Sequence, residues 1–252
     1  MAAQGRAILA AVDLGIAGKT ALVTAGSKGL GLASAMALAA EGVQLTICAR
    51  GEDALRAAER QITDAGGVVL AIAADVTDPA VPEELIEATA DRYGGLDILV
   101  ANAGGPPPGR ALEIDEAAIN AALNANLLTS VRLVRAAVPY MRATSWGRIC
   151  LITSSSIKQP IPTLSLSNMA RTGLWAWAKT AASDLASEGI TLNTACPGLH
   201  ATDRVKELGH GGGRMGDPGD FGKTVAFLCS RPAAFINGTS VLVDGGAALG
   251  LL

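Results

Sequence analysis

Aromatic side chains are scarce in this chain, with three Trp, two Tyr and three Phe among 252 residues. A core here is assembled from aliphatic side chains and close backbone approaches, for which the 30 glycines and the many alanines are suited. Histidine is scarcer still, at His200 and His210 only, and no Cys-x-x-Cys or His-x-x-His spacing occurs. The usual metal-binding patterns are thereby excluded, and no metal site is expected. The four cysteines, Cys48, Cys150, Cys196 and Cys229, are widely separated, three of them in or at the end of apolar runs. That pattern reads as buried free thiols in a reducing cytosol rather than a disulfide framework. No basic cluster is present and the net charge is -3, which argues against a nucleic-acid surface. The apolar run Ala-Ile-Leu-Ala-Ala-Val at residues 7–12 is too short to span a membrane and meets Asp13 without a cleavage site. Residues 1–12 are read as a flexible extension, and 13–252 as one cytoplasmic domain with no membrane partner.

What is present is an alternation. Short β-branched runs at 20–24, 44–48, 68–73, 96–101, 148–153, 191–196 and 240–243 are separated by Ala-rich helical stretches. Most of the runs are continuously apolar, as strands covered on both faces should be. The fold class expected is α/β, a Rossmann-type doubly wound parallel sheet of about seven strands with helices on both faces. One such helix covers 31–40, with Leu32, Met36 and Ala40 on a stripe. The densest turn-forming regions, 104–109 and 209–219, each follow a strand, where such sheets form their ligand crevice.

The first strand runs into Thr24-Ala25-Gly26-Ser27-Lys28-Gly29-Leu30-Gly31 and then a helix. Glycines in that place let main-chain N–H groups approach a diphosphate at a helix N-terminus. Lys28 and Arg50, which follows the second strand, bear on the choice of nucleotide. A ribose 2′-hydroxyl is met by an acid, a 2′-phosphate by cations. No Asp or Glu occupies positions 46–50. NADP(H) is the expected cofactor.

Taken with further motifs, this loop resembles that of the short-chain dehydrogenase/reductase family, Thr-Gly-x-x-x-Gly-x-Gly, with Ala25 in place of the first glycine. Asp75-Val76 matches the pair that caps the adenine. Asn102-Ala103-Gly104 matches the family's Asn-Ala-Gly, and Pro197-Gly198-Leu199-His200-Ala201-Thr202 matches Pro-Gly-x-x-x-Thr beside the nicotinamide. The resemblance spans about residues 13 to 247 and implies a nucleotide-dependent oxidoreductase, closest in general shape to 3-oxoacyl thioester reductases, acting on a small carbonyl compound.

The same resemblance implies a catalytic set of Asn, Ser, Tyr and Lys. Asn126 and Ser154 match the first two. The tyrosine falls thirteen residues after the serine, at Ser167, and the lysine four further on, at Arg171. A phenol of pKa about 10 is a competent acid when a cation lies beside it. A serine hydroxyl is a far weaker one, and arginine does not release its proton. Arg171 keeps a charge that can hydrogen-bond a ribose or stabilise an alkoxide. Lys158 is the candidate proton donor, set against a loop lysine in water, and His200 is a second. Trp175 and Trp177, two apart on one helix, cannot share a face; one is assigned to the core and one to a subunit interface.

Three readings are open: a reductase with a replaced proton donor, a catalytically silent NADP(H)-binding protein acting as sensor or oligomer partner, and a cofactor-independent lyase or dehalogenase. The segment from Leu199 to Gly216 is short and Gly-rich, so an open pocket with a mobile edge is expected. Family members pair through the helices flanking strand five, here near 112–142 and 163–188, which implies a homotetramer, or a dimer as fallback, aided by the apolar tail at 247–252.

Overall fold

The computed structural model describes residues 12–207, 209 and 214–250. Seven strands form one sheet: β1 (Thr20–Thr24), β2 (Gln44–Ala49), β3 (Val69–Ala73), β4 (Ile98–Ala101), β5 (Gly147–Ile152), β6 (Ile190–Pro197) and β7 (Ser240–Val243). Their order is β3-β2-β1-β4-β5-β6-β7 and every pairing is parallel. Every residue of β1, β4 and β5 is buried, as the continuous apolar runs require. Each expected strand is present, with ends differing by two residues or fewer.

Helices α1 (Gly29–Ala40), α2 (Glu52–Asp64) and α8 (Pro218–Leu228) cover one face. Helices α3 (Val81–Tyr93), α4 (Glu116–Leu123), α5 (Thr129–Thr144) and α6 (Ser165–Leu185) lie on the other. A short α7 (Asp203–Glu207) follows β6. The period-2 alternation of each strand sorts its side chains into two cores. Val23, Ile47, Val100, Leu38 and Phe221 pack on the α1/α8 side. Leu22, Leu99, Leu151, Leu133 and Leu174 pack on the α5/α6 side.

Strand order reverses direction between β1 and β4, which opens a crevice at their carboxyl ends. The two strands are locked there by a reciprocal pair. Thr24 Oγ1 donates to the Asn102 carbonyl at 2.7 Å and accepts from the Asn102 N–H at 2.9 Å. Behind the crevice, α6 buries Leu166, Ala170, Leu174, Ala178 and Ala182, an unbroken i, i+4 stripe. Ser167 and Arg171 follow the stripe by one position, so the packing that seats the helix also fixes both. The far end of α6 is tied down by Asn237 Nδ2 donating to the Ala182 carbonyl and Lys179 Nζ to the Gly238 carbonyl.

Between α4 and α5 the helix widens for one turn into a π segment, Asn124–Leu128. Such turns insert one residue into a helical ladder and cluster at functional sites. At the edge expected to be open, 199–216, residues 208 and 210–213 lie outside the described residues. Among its described residues, His200 and Gly216 form a parallel bridge and α7 adds a helical turn. Residues 1–11, His210 and the last two residues of the apolar tail lie outside the described residues. Among the described residues, no helix is long and apolar enough to cross a membrane, and no group of three or more His, Cys, Asp or Glu could hold a metal ion.

Candidate active site

A cavity of about 800 Å³ occupies the crevice. Its floor comes from the loop after β1, where Ala25, Lys28, Gly29 and Leu30 line it, and from Asn102, Ala103 and Gly104 after β4. Ser154 after β5, Ser167 and Arg171 on α6, and Pro197, Gly198 and Thr202 after β6 complete the wall. Residues remote in sequence thus meet because four strands end side by side.

The loop after β1 is shaped by its backbone. Gly29 has φ +54, and a Cβ on Gly31 would overlap the Ala25 carbonyl oxygen and stand 2.8 Å from Asn102 Nδ2. Gly26 donates its N–H to the Cys48 carbonyl at 3.0 Å, which hangs the loop from β2, with Ser27 next in the turn. Ala25 has φ +46, the left-handed region that a methyl-bearing residue resists. The departure at this position therefore carries backbone strain. N–H groups at the start of α1, with Lys28 as its N-cap, fit a phosphate-bearing ligand.

Arg50, Asp75 and Val76 lie outside the cavity wall, at the carboxyl ends of β2 and β3. Arg50 is 79% exposed and stands 4.0 Å from Asp75. Hydrogen bonds from the Thr77 N–H and hydroxyl hold the Asp75 carboxyl below its usual range, and Arg50 adds to this. So exposed an ion pair is worth little, which leaves the guanidinium available. The Val76 carbonyl accepts from Thr129 Oγ1, joining that corner to the start of α5.

The centre of the site is Arg171. It is 6% exposed, and its guanidinium donates to the carbonyls of Ile152 at 2.8 Å, Thr153 at 3.0 Å and Ala103 at 3.3 Å. Burial pulls its pKa down to about 10; the Cys196 thiol opposes the shift and the Arg204 charge adds to it. It stays charged at neutral pH. Ser167 is buried beside it on the cavity wall, one helical turn away. Ser154 Oγ accepts from the Ser156 N–H at 3.1 Å and caps the 3-10 turn Ser155–Ile157. Asn126 is 2% exposed in the π segment, and its Oδ1 has no hydrogen-bond partner among the described residues.

Of the two further donors expected, one lies off the cavity wall and one on it. The 3-10 turn carries Lys158 out of the cavity wall, and its Nζ lies 4.1 Å from the centroid of the Trp175 ring. A cation on an aromatic face is held by the ring's quadrupole, which favours this placement of Lys158. His200 does line the cavity, but its Nδ1 is 3.2 Å from the Gly198 carbonyl and its ring meets Phe221 edge-on at 5.2 Å. Trp177 packs against the α5/α6 core.

Sequence reasoning missed Arg204. From α7 it reaches across the cavity mouth, donating to the Pro106 carbonyl at 2.8 Å. The signal available was Asp203-Arg204-Val205-Lys206-Glu207, a charged amphipathic turn ahead of the glycines.

This arrangement, a phosphate-binding turn joined to a serine and a fixed cation at a sheet's switch point, is that of a nucleotide-dependent oxidoreductase. Comparison with known proteins agrees. Residues 24–248 match the family described as enoyl-(acyl carrier protein) reductase. The 3-oxoacyl-(acyl-carrier-protein) reductase FabG of Vibrio cholerae is 33% identical over 245 residues, covering 92% of this chain and 98% of that protein. Human dehydrogenase/reductase SDR family member 4 is 31% identical over 244 residues, covering 92% of this chain and 88% of the relative. The crystal structure of L-sorbose reductase from Gluconobacter frateurii, complexed with NADPH and L-sorbose, superposes with a TM-score of 0.89 at 31% identity, covering 95% of this chain and 100% of that one. The chain belongs to the short-chain dehydrogenase/reductase family, and is an oxidoreductase of that type.

Proposed function

We propose that this protein is an NADP(H)-dependent reductase of small carbonyl compounds, of the 3-oxoacyl kind, with a catalytic set in which Ser167 and Arg171 replace tyrosine and lysine. The observation that carries the reading is the single cavity that joins the glycine loop to Ser154, Ser167 and Arg171. The related structure with bound NADPH supports the choice of nucleotide, as do Lys28 and the exposed Arg50.

The residues fit the cofactor. The turn from Gly26 to Gly31 would hold its diphosphate, Lys28 and Arg50 a 2′-phosphate, and Asp75 and Val76 the adenine. Asn102, Ala103 and Gly104 would carry the middle of the molecule, and Pro197, Gly198 and Thr202 the nicotinamide end. When bound, NADPH supplies a hydride to the substrate carbon. The protein then has to deliver one proton to the oxygen. Ser154 Oγ accepts from a main-chain N–H, so its own proton is free to be donated to the carbonyl oxygen and polarise it. The Ser167 hydroxyl passes a proton to the alkoxide as it takes one from cavity water. The fixed charge of Arg171 stabilises the alkoxide until that transfer is complete. Asn126 backs the site from the π segment. We assign the proton to solvent through Ser167, not to Lys158.

Following NADPH absorbance over a carbonyl panel that includes acetoacetyl thioesters tests this. Turnover should occur and should fall on the order of 100-fold in Ser154→Ala, the scale of a lost general-acid or oxyanion contact. Arg171→Lys should keep part of the activity and Arg171→Ala lose it. A second reading has one observation in its favour: three main-chain carbonyls already hold Arg171, which suits a structural cation in a silent NADP(H)-binding protein. NADPH binding without turnover of any panel member would select it.

The assembly we infer is a homotetramer, with a dimer as the smaller alternative. Leu128 and Met169 are exposed on the α5/α6 side, and Phe227 and Phe235 on α8 and the segment before β7, which gives apolar area on two faces. A monomeric mass in solution would overturn this.

A further inference from the structure

A buried cation with no counter-ion costs several kcal/mol unless something compensates it. Arg171 is in that position. A guanidinium has five N–H donors. Three contacts to carbonyls use both hydrogens of one terminal nitrogen and one of the other, which leaves Nε–H and one terminal N–H. Dipoles of carbonyl groups soften the charge without neutralising it. Among the described residues, no carboxylate pairs with Arg171.

A second guanidinium, Arg204, lines the same cavity. The acids on that wall are Asp203 and Glu207. Asp203 is engaged with Lys206 at 3.3 Å and Glu207 lies 3.7 Å from Arg204, and neither is ion-paired with Arg171. The proximity of the two guanidiniums is felt by Arg171, whose pKa is lowered first by burial and further by Arg204. With Glu207 beside Arg204, the charge left without a counter-ion is the buried one of Arg171, a mismatch for an uncharged guest and a match for an anion. Planar, forked donors pair with carboxylates in bidentate fashion.

We propose that the substrate of this cavity carries a carboxylate, held between Arg171 and Arg204, with its carbonyl set against Ser154 and Ser167. The carboxylate resting on the two arginines follows from the cavity alone, whereas its being reduced rests on the reductase reading above. A neutral ketone would leave Arg171 unmatched. An oxo acid pairs with the charge and is positioned by it, so the interaction contributes to discrimination against the corresponding ester.

Butanoate and methyl butanoate, which cannot be reduced at the acyl carbon under these conditions, separate binding from chemistry. Each is titrated calorimetrically into the full-length protein, with and without saturating NADP+. Butanoate should bind at least tenfold more tightly than its ester, with or without NADP+. Arg204→Gln, on a partly exposed turn, should lower butanoate affinity about tenfold and leave the ester unchanged; Arg171→Gln should act in the same direction if it folds. Equal binding of acid and ester overturns the proposal. So does loss of butanoate binding when NADP+ is saturating, which would give the cation to the cofactor's phosphates. An equal fall for both probes in Arg204→Gln also overturns it, because the residue would then act only by tying α7 to Pro106.

The turnover arm compares acetoacetate with methyl acetoacetate. A kcat/KM ratio of tenfold or more in favour of the acid is expected. Preferential butanoate binding without turnover of either compound keeps the carboxylate site and sinks the reductase reading. Turnover without preference for the acid does the reverse.

Discussion

Replacing Ala25 by glycine should stabilise this protein, although Ala→Gly ordinarily does the opposite. Ala25 has φ +46 at the start of the phosphate turn. A residue with a Cβ in that left-handed region carries a steric cost of roughly 1–2 kcal/mol. Glycine removes it, but widens the unfolded ensemble at a cost of roughly 0.4–1 kcal/mol. The difference favours glycine by about 0.5–1 kcal/mol. For a chain of this size, about 1 kcal/mol moves the melting temperature by roughly 2–4 °C. Ala25→Gly should therefore melt about 1–4 °C higher by circular dichroism, with a matching rise in the urea midpoint. Ser145, at φ +51 after α5 and remote from the cavity, provides the control. Ser145→Gly should gain a comparable amount, and the two gains should add. A fall in both variants would refute the strain reasoning. A fall in Ala25→Gly alone would mean that the methyl makes a contact worth more than the strain.

Three further outcomes are expected. Gly31→Ala should destabilise by roughly 1–3 kcal/mol, the usual cost of overpacking, because the new Cβ meets the Ala25 carbonyl and the Asn102 amide; an unchanged urea midpoint with unchanged NADPH binding would contradict it. Thr24→Val, which strips the hydroxyl from both Asn102 main-chain groups, should cost roughly 1–3 kcal/mol and expose the Asn102 amide to faster hydrogen exchange. Burial pushes the Cys48 thiol up to about 12, against a smaller lowering by the Ala25 main chain. A raised folded pKa favours the protonated form, so this contribution is complete below the unfolded value of 9.0 and is lost as pH climbs toward 12. At 1.36 kcal/mol per unit that amounts to about 4 kcal/mol at most. The lowered pKa of Arg171 works oppositely above about pH 10, which makes the comparison with Cys48→Ala the clean one. The variant should show a shallower alkaline decline in urea-unfolding stability, and an identical slope would refute the assignment.

The strands were legible because parallel, doubly covered strands leave continuous apolar runs such as Ala21-Leu22-Val23, and turn residues bound each of them. The crevice was legible for a related reason, since glycines crowd where main chain must approach a ligand. Side-chain direction was not. Lys158 sits four residues after Ser154, a spacing that would place it at the site on a helix. The intervening 3-10 turn aims it at Trp175 instead. The reach of Arg204 depends on a link of 98 residues to Pro106, for which no local pattern exists. The π turn at Asn124–Leu128 was equally hidden, because helix periodicity tolerates one wide turn without a change in composition.

The cavity has one anchored wall and one that is lightly tethered. Arg171, Asn237 and Lys179 pin α6 along its length, whereas α7 reaches the opposite rim through Arg204, and the bridge from His200 to Gly216 ties only its own segment. Such a division separates inheritance from novelty. The α6 side has little freedom to vary, because each change there disturbs strand ends that the whole sheet shares. The α7 stretch, Asp203–Glu207, can be exchanged or grafted from a relative while the nucleotide end, Thr202 included, keeps its shape. For an engineer, that stretch is the cartridge, and the rest of the molecule is the instrument into which it fits.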